Sequence, residues 1–467
     1  MLFSSFEFIF AFLPVTFLGY FLLNKYKQAN AAKIWLFSCS LFFYGWWNPL
    51  YVPLILSSLV FNFGFGNWLN ATKSNPALKK SILIFGISAN LGLLFFYKYM
   101  DFFIANYNYL SSNTIVALHL VLPLGISFIT FQKIAYLVDS YTDAESTKDY
   151  NFINFCLFVL FFPQLIAGPI VHHSEVMPAF KNPLNLKLNY FNISKGLYIF
   201  LMGLCKKLVF ADSFAVIANA GYGNTASLST IDGWLTAFAY AFQLYFDFSG
   251  YSDMAIGAGL FFNIQLPQNF NSPYKSLNIQ DFWRRWHITL GRFLTRYFYI
   301  PLGGSRKGEY TTLVNVFLTM FVSGIWHGAG WTFVLWGIMH GTASVIFRLW
   351  GKTKIEMPAY LAWFLTFLFV NLAWVFFRAS SIGDAMNVLY AMFDFSKFSL
   401  NFTVIEDYRI LPMVLAGTLF LFFKNTNELL SEFTLSRANL VKLVLMAVLG
   451  MLFLNSITAG EFLYFDF

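Results

Sequence analysis

Three of the chain's six histidines, His287, His327 and His340, fall in the stretch where its arginines are densest. His327 lies between Trp326 and Gly328 at the end of an apolar run, Leu313 to Ile325, which puts it at membrane depth. An ionisable group there is costly and marks a functional position by default. A neutral imidazole can take the proton of an alcohol while its oxygen attacks an acyl carbonyl, and desolvation keeps the ring neutral. Gly324 and Gly328 permit close approach of a backbone or a substrate. A histidine satisfied by helix–helix hydrogen bonds is the competing reading.

His287 follows Arg284, Arg285 and Trp286, and His340 lies inside the apolar run after His327. None of these spacings matches a zinc signature and no carboxylate pair stands beside them, so no metal is expected. His119, His172 and His173 sit at the edges of apolar runs and are expected to face the interface. Asp247 and Asp253 stand in an apolar region broken by Gly250. Such carboxylates usually pair with arginine or cap helices, so theirs is expected to be a structural role. No glycine follows Ser252 as a hydrolase elbow requires, and no glycine-rich nucleotide cradle occurs.

The elements that must hold these residues are membrane helices. Of 467 residues, 58% are hydrophobic and only 11% charged, against roughly 25% charged in soluble domains. The formal charge of +8 is scattered between apolar runs. Cytoplasmic loops explain it better than a nucleic-acid face would. Cys39, Cys156 and Cys205 lie in or beside apolar runs, where buried thiols without disulfides are expected.

Apolar runs predict spans at 6–23, 34–47, 50–65, 82–99, 115–131, 152–167, 193–210, 234–248, 313–325, 332–350, 360–377, 410–423 and 440–457. About a dozen segments result, some short enough to be re-entrant. Lys25, Lys27 and Lys33 after the first run place the N-terminus outside; Arg437 and Lys442 place the C-terminus outside too. The segment 272–308 is too polar to span. Its aromatics recur at three and four with arginines between, which suits an interfacial amphipathic helix.

The motifs Phe162-Pro163-Gln164-Leu165-Ile166-Ala167-Gly168-Pro169-Ile170, Asp247 to Asp253, Asn269 to Tyr274, Phe282 to His287, Tyr299 to Gly304, and Trp326-His327-Gly328 with His340-Gly341 occur in that order. In this the chain resembles the bacterial membrane-bound O-acyltransferases (MBOAT), in the branch with alginate and peptidoglycan O-acetyltransferases. The likeness covers nearly the whole chain. It implies one integral all-α domain over 1–467, a bundle around a funnel or tunnel, with a core motif region at 269–341. The family's near-invariant histidine maps onto His327 and its second histidine onto His287. The resemblance further implies donor or acceptor binding at Asn269, Asn271, Tyr274, Trp283, Arg284, Arg285, Trp326 and His340.

It also implies a cytoplasmic thioester donor (acetyl-coenzyme A or an acyl carrier protein), no bound cofactor, and a bacterial inner-membrane location. The acyl group would leave towards an extracytoplasmic polysaccharide through an SGNH-esterase-type partner. No Gly-Asp-Ser nucleophile motif occurs in this chain. The tail at 459–467 is similar to an aromatic C-terminal motif of this branch, which makes Tyr464 a candidate transient acyl acceptor. The alternatives are D-alanyl transfer to teichoic acid by the same family, and a flippase or channel without covalent chemistry.

Overall fold

Proline and glycine decide where the apolar sequence becomes helix. The computed structural model describes residues 1–72, 74–111, 114–143, 147, 150–166, 168–405, 408–454 and 463, with Arg409 described by its backbone alone. Helices α1 (Leu13–Lys25), α2 (Ala29–Gly45), α3 (Val52–Ala71), α4 (Pro76–Lys98), α5 (Met100–Ser111), α6 (Ile126–Thr142), α7 (Phe152–Leu160) and α8 (His173–Lys181) come first. Then follow α9 (Tyr190–Cys205), α10 (Asp212–Gly223), α11 (Thr230–Phe261), α12 (Ile279–Arg285), α13 (Ile288–Leu294), α14 (Glu309–His327), α15 (Trp331–Trp350) and α16 (Ala359–Arg378). The last are α17 (Ile382–Phe393), α18 (Leu411–Phe420), α19 (Thr426–Ser431) and α20 (Arg437–Leu454). No strand occurs among the described residues.

Six helical stretches among the described residues are long and apolar enough to cross a membrane. They are Glu7–Lys25, Pro49–Ala71, Pro76–Lys98, Trp331–Trp350, Ala359–Arg378 and Arg437–Leu454. Each matches an expected span. Along α20 the leucines and valines at 440, 441, 444, 445, 448 and 452 point outward and are exposed, as lipid-facing side chains must be. The remaining expected runs form shorter or more polar elements.

Three of those runs differ from expectation for visible reasons. Residues 114–125 are not helical, and α6 starts only at Ile126, after Pro123 and Gly125. Gly125 sits at φ 65°, where a Cβ would lie 2.9 Å from Leu165 O, so no other residue turns the chain there without strain. In the run that starts at 152, helix α7 ends at Leu160, ahead of Pro163, whose ring cannot continue it. Conversely, 234–248 is part of α11, which runs 32 residues straight through Gly250. That glycine brings α11 against α9: a Cβ there would be 2.8 Å from Gly203 O.

The chain divides into two compact units, Met1–Phe200 with Met254–Pro267, and Leu201–Asp253 with Gln268–Phe467. In the first, stacked and edge-on rings of Phe8, Phe12, Phe43, Phe162 and Phe262 form the core. Asn62 and Asn90 pair reciprocally inside it, at 3.2 and 2.7 Å.

The second unit is built on the α14–α15 hairpin. A Cβ on Gly324 would lie 2.5 Å from Phe333 O and 2.8 Å from Gly337 Cα, so the two backbones touch where both residues lack a side chain. Small residues at helix crossings are how membrane helices pack closely. Helix α16 lies against α15 through Trp374, whose ring centroid is 5.7 Å from that of Trp336.

Candidate active site

The stretch 272–308 is not one amphipathic helix. It breaks into a short turn at Pro273–Lys275, then α12, α13 and a wide turn at Thr295–Tyr299. The break between α12 and α13 falls at His287, held in the left-handed region at φ 45°, ψ 52°. A bulky residue held there costs of order 1–3 kcal/mol and persists only where its surroundings enforce it. Asn269 does the enforcing. Its backbone oxygen accepts from Ile288 N at 3.0 Å, and its Oδ1 accepts from Thr289 N at 3.2 Å and Thr289 Oγ1 at 2.9 Å.

The same Asn269 Oδ1 lies 3.1 Å from His287 Nδ1. Since the amide oxygen only accepts, Nδ1 carries the imidazole proton and Nε2 keeps the lone pair. His287 is 1% exposed and lies outside the six candidate spans. Burial pushes its pKa down to about 3, so the ring is neutral at physiological pH.

His327 is the last residue of α14, before Gly328 turns the chain extended. A Cβ on Gly328 would run into the Phe333 ring, 2.1 Å from Cε2, so the turn that presents His327 requires glycine. His327 is 3% exposed. The rings of Trp326, Trp336 and Phe377 pack around it at centroid distances of 4.9, 5.2 and 5.1 Å. Trp326 also reaches His287, at 6.2 Å. One indole thus lies against both histidines.

His340 is fully buried and accepts a hydrogen bond from Trp283 Nε1 at Nδ1, 3.3 Å. An indole N–H only donates, so the His340 proton sits on Nε2. Trp336 joins it to His327, lying 4.6 Å from the His340 ring. Tyr274 belongs to the same aromatic cluster through Trp286, and its hydroxyl donates to Ala241 O at 2.7 Å.

Asn269, Tyr274, Trp283, His287, Trp326, His327 and His340 therefore come together in the second unit. The other expected binding residues do not join them. Asn271 accepts from Asn425 at an exposed corner, Arg285 pairs with Asp281 on its own helix at 2.9 Å, and Arg284 is exposed. Tyr464 lies outside the described residues. Its neighbour Leu463 is buried, and its backbone N–H donates to Asp247 Oδ2 at 3.0 Å.

Asp247 and Asp253 do have buried ionic partners, but these are lysines rather than the expected arginines. Lys206 Nζ meets Asp253 Oδ2 at 2.7 Å, with Thr426 Oγ1 bonded to both. Lys207 Nζ meets Asp212 and Asp247, each at 2.8 Å. A π-helical turn over Lys206–Ala211 turns both lysines inward; such turns collect at functional places in helices. Sequence reasoning passed over these lysines, although two cations inside the apolar run 193–210 were a signal. It also passed over the cage residues Trp336, Trp374 and Phe377, for which an apolar run holds no signal.

His172 and His173 are corrected as well. His173 is 1% exposed rather than interfacial, and both imidazoles meet Asp139.

An all-helical membrane protein with buried histidines in an aromatic cage has the makings of a proton-transfer enzyme acting out of contact with water. Residues 142–383 match the family described as MBOAT, membrane-bound O-acyltransferase family. The chain is 45% identical to the peptidoglycan O-acetyltransferase of Helicobacter pylori, over 100% of this chain and 98% of that protein. It is 38% identical to the probable alginate O-acetylase of Pseudomonas putida, over 91% of this chain and 87% of that one. It is 28% identical to the teichoic acid D-alanyltransferase of Bacillus subtilis, over 54% and 67%. The chain belongs to the membrane-bound O-acyltransferase family, and it is a multi-pass membrane enzyme of the acyltransferase class.

Proposed function

We propose that this chain takes an acetyl group from a cytoplasmic thioester, coenzyme A or carrier protein, and passes it across the bacterial inner membrane for O-acetylation of an envelope polysaccharide. The observation that carries the reading is the placement of two buried histidines against one indole, Trp326, one of them locked with its lone pair on Nε2. The full-length likeness to a peptidoglycan O-acetyltransferase favours acetyl as the group and peptidoglycan as the polymer class. The D-alanyltransferase likeness covers only about half of the chain.

In this mechanism His327 is the general base. It removes the proton from the acceptor hydroxyl as the oxygen attacks the thioester carbonyl; the C–S bond breaks, and the imidazolium returns the proton to the leaving thiolate. His287 orients the donor side. With its proton committed to Asn269, its Nε2 accepts a hydrogen bond and cannot donate one to a developing oxyanion, which favours orientation over charge stabilisation. The aromatic cage keeps water from the thioester.

The first acceptor is the phenol of Tyr464, whose ester the SGNH-esterase-type partner then collects. Support comes from Leu463, which is buried against Asp247 in the same unit as the histidines. His327→Ala should accumulate normally in the membrane and transfer no acetyl group from a radiolabelled acetyl thioester in lipid vesicles. Equal transfer by that variant and the parent refutes the role, and a thioester left intact by the parent makes the chain a transporter. For the tail, mass spectrometry should find acetyl on the C-terminal peptide of the parent and not of Tyr464→Phe; equal acylation of both removes the relay.

A further inference from the structure

A second group of chemically capable side chains meets in the first unit and shares no residue with the candidate active site. Asp139 lies near the C-terminal end of α6, His172 is the N-cap of α8 and His173 its first residue. Both imidazoles turn Nε2 to one oxygen, Asp139 Oδ2, at 2.6 Å from His172 and 2.8 Å from His173. The three atoms all lie within 4.8 Å of one another, and the two rings are 4.1 Å apart. Asp139 and His173 are buried and His172 is half-buried. As the groups stand each Nε2–H donates to the carboxylate, where one donor would suffice to anchor it; once both protons move to Nδ1, the same three atoms turn lone pairs towards one point.

The far side of each ring is held in the way metal-bound histidines are held. His172 Nδ1 lies 2.6 Å from Ser174 Oγ, and His173 Nδ1 lies 3.2 Å from Tyr150 Oη. Ligating histidines give their second N–H to an oxygen, which fixes tautomer and orientation. Hydroxyls accept as readily as they donate, so each ring can carry its proton on Nδ1 and turn an Nε2 lone pair inward. The Ser174 backbone N–H, 3.2 Å from the same His172 Nδ1, is then released to solvent, where Ser174 is exposed. Glu175 still fixes the start of α8 by accepting from His172 N at 3.0 Å.

We propose that Asp139, His172 and His173 bind a divalent transition-metal cation of the zinc type, through two imidazole nitrogens and one carboxylate oxygen. Nitrogen and oxygen ligands at about 2.0–2.2 Å from zinc sit roughly 3.3 Å apart in a tetrahedron. The two contacts to Asp139 therefore open by about 0.5–0.7 Å, which small side-chain rotations supply. The cation ties the end of α6 to the start of α8.

The test uses the full-length protein without a histidine tag, purified in detergent, stripped with chelator, reloaded with zinc and washed. Elemental analysis should find about one zinc per chain in the parent and a small fraction of that in His172→Ala/His173→Ala and in Asp139→Asn. Zinc should also raise the melting temperature of the parent and not of the variants. Should the variants fail to fold, X-ray absorption at the zinc edge of the parent decides alone: two imidazoles with oxygen ligands support the site. A parent that retains no zinc after reloading overturns the proposal. So do variants that bind as much as the parent, or a zinc edge without imidazole scattering, because the ion is then adventitious.

Discussion

Asn269 Oδ1 stands 3.1 Å from His287 Nδ1 and at the same time receives both donors of Thr289. One amide oxygen thus sets the tautomer of a buried imidazole and pins the strained turn that carries it. Asn269→Ala removes all three bonds. It should cost about 1–3 kcal/mol of stability and lower acetyl transfer by roughly 10–100-fold, on the scale of other partners that orient a functional histidine. Asn269→Asp keeps an accepting oxygen and should recover part of the rate. Vesicle transfer assays on the two variants check this, and equal rates for both would separate the amide from catalysis.

The pH dependence of stability carries a definite sign. Burial takes the His287 pKa from 6.5 down to about 3, so between those values the unfolded chain binds a proton that the folded one refuses. The stabilisation is complete above pH 6.5 and is lost progressively as pH falls towards 3, by at most about 1.4 kcal/mol per pH unit. Melting temperatures in detergent from pH 7.5 to 5 should fall, and His287→Gln should flatten the curve. Parallel curves for parent and variant would contradict the burial argument.

Lys207 should behave as a structural cation. Lys207→Met leaves Asp212 and Asp247 facing no ammonium in the interior, and removing one partner of a buried pair costs about 3–5 kcal/mol. Thermal melts should show a large drop for Lys207→Met. The surface substitution Lys424→Met, which breaks an exposed pair with Glu432, should cost at most about 1 kcal/mol.

The α14–α15 contact predicts its own sensitivity. Gly324→Ala would put a methyl 2.5 Å from Phe333 O, which is backbone and cannot swing aside. The helices must part, at a typical overpacking cost of about 1–3 kcal/mol, and His327 moves with them. Gly64→Ala, where nothing lies within 4 Å, is the matched control. Transfer rate and melting temperature should fall for the first and hold for the second.

The sequence announced its membrane helices through long apolar runs, and six of the expected spans stand among the described residues. His287, His327 and His340 were legible as a group because an ionisable group in apolar sequence is rare, whereas His172 and His173 were misread as interfacial. What composition conceals is packing direction. Trp283 and Trp286 read as interfacial anchors, yet Trp286 is 1% exposed and Trp283 bonds His340, because the break at His287 turns α12 inward. A local periodicity of three and four cannot foresee a strained turn enforced from Asn269, 18 residues earlier. Lys206 and Lys207 stood out as cations in an apolar run, but their direction did not: a π-helical turn, not their spacing, makes them face Asp253 and Asp247.

The ionic cluster also has an uneven count. Lys206 and Lys207 bring two positive charges to three carboxylates, Asp212, Asp247 and Asp253, and the Leu463 N–H supplies one further donor at Asp247. The backbone beside Tyr464 is thereby fastened to the charged interior of the second unit, so a change at Asp247 would loosen that segment without touching Tyr464 itself.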